Sequence, residues 1–88
     1  MHAIVVRVAL SEDDSASLDE LREQVVPQVS QAPGFVAGYW VRLDGERQGA
    51  SVIVFDSEDN ARSAADRFQP PEGVTLESMD VGEVVASA

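Results

Sequence analysis

The chain has no cysteine and no lysine, and only one histidine, one tryptophan and one tyrosine among its 88 residues. Without cysteine there is neither a disulfide nor a thiolate-held metal to stabilise a small core. The same absence fits a reducing compartment, so a cytoplasmic location is expected. A single histidine, His2, excludes a paired-imidazole metal site, and no Ser-His-Asp spacing or glycine-rich phosphate loop is present. No haem, flavin or metal cofactor is therefore expected. The missing lysines leave six arginines against 16 acidic residues, a net charge of -10. Phosphate binding needs a basic face, so neither nucleic acid nor an anionic membrane is an expected partner. The acidic excess reads as a solvated, solubilising surface, because the Asp-x-Asx-x-Asx-Gly calcium loop is absent. No apolar run approaches a membrane span. Met1 to Arg7 has no basic segment and only a short apolar run, so no signal peptide is expected there.

The length suits one small domain spanning residues 1–88, of a size that is marginal alone and gains from a second copy. His2 to Leu10 alternates as a strand: Ile4, Val6, Val8 and Leu10 on one side, Ala3, Val5, Arg7 and Ala9 on the other. Ser17 with Glu20 forms a capping box, with Ser15 as a competing cap, before Leu18, Leu21, Val25 and Val29 at helical spacing. Pro27 should kink this helix or end its regular part. Ala32 precedes a proline, so the helix must stop by Pro33-Gly34. Phe35 to Leu43 is aromatic and β-branched, a second strand. Asp44-Gly45 opens a turn to a third strand, Ala50 to Phe55, which places Val52 and Val54 opposite Ser51, Ile53 and Phe55. The short turn makes these two strands an antiparallel hairpin. Ser57 caps a second helix, with Glu58 and Asp59 at its positive end and Ala61, Ala64, Ala65 and Phe68 as its packing stripe. Pro70-Pro71-Glu72-Gly73 stops it, and Val74 to about Val85 is the last strand, with Gly82 as the expected bulge. Ala86-Ser87-Ala88 is a tail.

The order is βαβ-βαβ. Two right-handed crossovers around a hairpin give a four-stranded antiparallel sheet with both helices on one face, the ferredoxin-like split βαβ arrangement of the α+β class. The other sheet face is also apolar, and the same face of another copy would cover it, giving a homodimer.

Pro33-Gly34-Phe35 with the Gly38-Tyr39-Trp40 strand, and the third strand running into Phe55-Asp56-Ser57-Glu58-Asp59-Asn60-Ala61, carry a resemblance. In these stretches the chain resembles the dimeric α+β barrel superfamily, which includes the antibiotic-biosynthesis-monooxygenase-like domains. The resemblance covers nearly the whole chain. It implies two sheets facing each other as a dimeric α+β barrel, helices outside, and a ligand cleft between each sheet and its own helices. Members of the superfamily include cofactor-independent monooxygenases, haem-degrading enzymes and lactone isomerases. Monooxygenase-type members often carry Trp where this chain has Phe55. The haem-degrading branch uses an Asn on the first strand and a His on or after the second helix. Here Arg7 stands near the first position, and Ala61 to Phe68 holds no iron ligand.

Four residues are candidates for ligand binding: Arg7, Tyr39, Trp40 and Phe55. Tyr39 and Trp40 are adjacent on a strand and point to opposite faces, so both are packing residues or one lines an aromatic-binding cleft. Arg7 shares a face with Val5 and Ala9. By the resemblance that face looks toward the helices, where Phe55 also points. An arginine there pairs with a carboxylate such as Glu77 or Glu83, reaches solvent along its stem, or anchors an anionic or phenolic oxygen of a ligand. His2 reads as a strand-edge residue and Asp56 as an element-end carboxylate. No residue is assigned a catalytic role. The expected function is a dimeric domain binding a small apolar or aromatic molecule between sheet and helices. The alternative is a cofactor-independent monooxygenase acting on a quinol or polyketide-like aromatic.

Overall fold

β-branched alternation makes His2–Leu10 a strand, β1. It is followed by α1 (Val26–Ser30), β2 (Phe35–Arg42), β3 (Gln48–Phe55), α2 (Glu58–Arg67) and β4 (Val74–Glu83). This computed structural model describes residues 1–10, 23, 25–43, 48–68 and 74–88. The capping box at Ser17 and Glu20, the Asp44-Gly45 turn and the Pro70 to Gly73 stop lie outside the described residues.

The four strands form one antiparallel sheet in the order β2-β3-β1-β4. The first and last strands of the hairpin-linked halves thus sit side by side in the middle and at one edge, as the split βαβ arrangement requires. Cross-strand register sorts the residues into two faces. One face carries the rows Gly38, Ile53, Ile4, Val81 and Trp40, Ser51, Val6, Met79. The opposite face carries Tyr39, Val52, Val5, Asp80 and Val41, Ala50, Arg7, Ser78.

The core lies on the first face. Ile4, Val6, Ile53, Phe55 and Ala61 form its buried centre, and Phe35, Trp40, Ala64, Ala65, Phe68 and Met79 pack around it. Phe55 and Ala61 have no exposed surface. The alanine stripe of α2 lets that helix approach the sheet closely. Ser57 starts α2 as expected: the Asn60 backbone N–H donates to Ser57 Oγ at 3.2 Å, and Glu58 and Asp59 occupy the first turn.

Two local expectations change. Pro27 marks an irregularity rather than the end of the helix: it stands in the first turn of the regular helix α1, a position where proline is well tolerated. Upstream, Glu23 and Val25 have π-type helical backbone. The β4 irregularity is not at Gly82, which pairs in register with Ala3. It falls where Arg7 faces Ser78 and Val8 faces Leu76, leaving Glu77 as the extra residue. A second bulge leaves Val36 unpaired between Phe35 and Ala37.

Two glycines are required by geometry. Phe35 N–H donates to Ala32 O at 3.2 Å across Pro33-Gly34, with Gly34 at φ +80, a type II turn. A side chain at Gly34 would also collide with Asn60 Nδ2 and Asp56 Oδ1. At Gly38 the constraint is an indole ring: an added Cβ would lie 2.9 Å from Trp40 Cη2 and Cζ3. Gly38→Ala should therefore push the ring off the strand, costing about 1–3 kcal/mol. Thermal melting with Trp40 fluorescence should show both a lower Tm and a red-shifted emission; an unchanged spectrum would contradict this packing.

Candidate functional site

The same face that holds the core opens into a cleft of about 490 Å³ between the sheet, α1 and α2. Its floor is Ile4, Ile53 and Phe55, contributed by the two central strands. One wall is Val25, Val29, Ala32 and Pro33, from the N-cap of α1, α1 itself and the turn after it; the other is Ala64 of α2 and Phe68, the residue that ends it. Alanine at position 64 leaves the volume that a longer side chain would fill. The Phe55 ring is fixed in the floor by an edge-to-face contact with Phe35, centroids 6.2 Å apart and planes at 81°.

The rim is polar. Gln28, Gln31, Asn60, Ser63 and Arg67 line it. Asn60 is held in place, since its Nδ2 donates to Asp56 Oδ1 at 2.8 Å. The Asp56 backbone N–H donates to Gly34 O at 2.9 Å, which ties the start of α2 to the turn before β2. Arg67 is the one charged residue in the described lining. Such a cavity excludes water from a flat apolar body and meets its polar end with amides, a hydroxyl and a guanidinium. Among the described residues no group of three His, Cys, Asp or Glu side chains could hold a metal ion.

The four sequence candidates divide between the two faces. Phe55 lies in the cleft floor. Trp40 is on the same face, half-buried against the core, and outside the cleft lining. Tyr39 is on the opposite face with 65% of its surface exposed. Arg7 is also on the opposite face, in register with Ala50 and Ser78, which corrects its expected orientation toward the helices. The physical reason is strand period: Ile4, Val6 and Val8 take the helix side to meet Ile53, Ser51 and Gly49, so Arg7 must turn away. Arg7 makes no ion pair with Glu77 or Glu83; on its own face the neighbouring acid by register is Asp80, opposite Val5. His2 stands at the strand end outside the cleft, its Nε2 3.6 Å from Glu58 Oε2, an oxygen that also accepts from Arg62 Nη2 at 3.2 Å.

Sequence reasoning missed the polar rim. Gln28, Gln31 and Ser63 follow no spacing rule, and Arg67 reads in sequence only as a last-turn cation. Their convergence depends on where α1 and α2 settle on the sheet.

No protein-family profile matches the chain, and no curated protein matches it. Among solved structures the chain is similar to a point mutant of MhuD, described with two manganese protoporphyrin IX molecules bound per active site. The identity is 15%, the TM-score 0.67, and the match covers 100% of this chain and 98% of that one. The chain therefore has the same ferredoxin-like fold as that structure, a four-stranded antiparallel sheet with its helices packed on one face. Among the described residues no helix is long and apolar enough to cross a membrane.

Proposed function

We propose that the chain is a homodimeric binding domain that holds one small apolar or aromatic molecule per protomer in the cleft between its sheet and helices. The observation carrying this reading is the cleft itself: an apolar floor of Ile4, Ile53 and Phe55, walled by α1 and α2, beneath a rim of amides. The open sheet face supports the homodimer. Val5, Tyr39, Val41 and Val52 are exposed there side by side, an apolar patch that a second copy would cover. Arg7 and Asp80 make no ion pair among the described residues, lie on the same face and have opposite charge, so a two-fold partner offers each a counter-ion.

The oxygenase reading gains no such support. Taking a proton from a phenol needs a base, and the described lining contains no carboxylate and no imidazole. A metalloporphyrin held through its metal fits this cleft poorly for a related reason. The described lining has no His, Cys, Met or Tyr to serve as an axial ligand.

The experiment is titration with N-phenyl-1-naphthylamine, a neutral aromatic dye that brightens on leaving water. Saturable binding at one site per chain is expected. Absence of binding, or a stoichiometry of many dyes per chain, contradicts an enclosed cleft.

A further inference from the structure

The distribution of charge around the cleft carries more than its shape. The chain holds 16 acidic residues, yet none of the 14 described residues lining the cleft is one of them. Random placement would put two or three there. The single charge in the lining is the guanidinium of Arg67. Among the described residues, Arg62 of the same helix is held by Glu58, whereas Arg67 makes no ion pair and no side-chain hydrogen bond. Its donors are free to meet a group entering from the cleft.

We infer that the cleft selects an amphipathic anion, with its aromatic or aliphatic body on Ile4, Ile53 and Phe55 and a carboxylate or similar oxyanion on Arg67. This rests on the cleft being a binding site, as proposed above, and specifies what it takes. Asn60 and Ser63 lie on the same helix, one or two turns before Arg67, and add neutral donors along the path of the anion. A guanidinium binds an oxyanion through parallel N–H donors, which a point charge elsewhere on the surface cannot imitate. The protein's net negative charge does not prevent this. At physiological salt, charges farther than about 8 Å are largely screened, whereas a contact with Arg67 is not. A last-turn arginine also complements the helix dipole, but that role alone would alter helix stability and leave ligand choice untouched.

The test compares two probes with similar aromatic bodies: 8-anilinonaphthalene-1-sulfonate, an anion, and N-phenyl-1-naphthylamine, which is neutral. Each is titrated into the intact wild-type protein, Arg67→Gln and Arg62→Gln. Arg62→Gln removes the same charge from the same helix outside the cleft lining. The expected result is about a tenfold loss of sulfonate affinity in Arg67→Gln alone, with the neutral probe unchanged in all three proteins. Equal sulfonate affinity in wild type and Arg67→Gln, with the neutral probe still bound, overturns the anion assignment and leaves the cleft standing. Equal losses in Arg67→Gln and Arg62→Gln also overturn it, because net charge would then explain the effect. Failure of the neutral probe to bind wild type overturns the cleft reading, and this inference with it.

Discussion

Phe55→Ala should lower stability by about 3–5 kcal/mol, the range for removing a fully buried aromatic ring from a core. Phe55 has no exposed surface, anchors Phe35 edge-to-face and forms part of the cleft floor. The buried centre around it is small, with Ile4, Val6, Ile53 and Ala61 as its other members. There is little surrounding side chain to collapse into the void. Domains have total stabilities of about 5–15 kcal/mol, so this one ring accounts for a large share. At about 4–8 °C per kcal/mol for a domain of this size, melting should fall by at least about 12 °C. Far-ultraviolet circular dichroism through a thermal scan measures it. A fall under about 3 °C would mean that the core is centred elsewhere.

Val52→Asp should separate the proposed dimer while leaving each protomer folded. Val52 sits in the middle of the open face, between Tyr39 and Val5, and is 39% exposed in the protomer. An aspartate there is solvated in a lone chain. Against a second sheet it becomes an unpaired buried carboxylate, at a cost of about 3–5 kcal/mol. Two-fold symmetry presents the substitution twice, so the dissociation constant should rise by more than about a thousandfold. Sedimentation equilibrium at micromolar concentration should give twice the 9.4 kDa chain mass for wild type and the single chain mass for Val52→Asp. A wild-type protein that sediments as a monomer would sink the dimer and the covered-face argument together.

The elements were legible where a residue type has one physical use. Pro33-Gly34 marks the end of the first helix because a type II turn wants proline followed by glycine, and that turn is present. Ser57 followed by two acids marks a helix start, and it caps α2. The inward face was not legible. β1 is apolar on both sides, so alternation defined two sets without saying which meets the helices. The decision comes from partners: Ile53 and Phe55 fill the space beneath α2, and Ile4 and His2 pair with them. Arg7 is carried to the other face as a consequence. Gly82 suggested a bulge because glycine tolerates one, yet the ladder slips at Glu77, where the strand absorbs an extra residue without needing glycine. The cleft draws on residues from Ile4 to Phe68, and no local pattern records that convergence.

The claim that a ligand sits between sheet and helices is tested most directly by mapping where N-phenyl-1-naphthylamine binds. Amide chemical-shift changes in 15N–1H spectra during a titration locate it residue by residue. The account predicts saturable shifts at Ile4, Ile53, Ala64 and Phe68, which line the cleft. Shifts confined to Val5, Tyr39 and Val52 would place the dye on the open sheet face and contradict it.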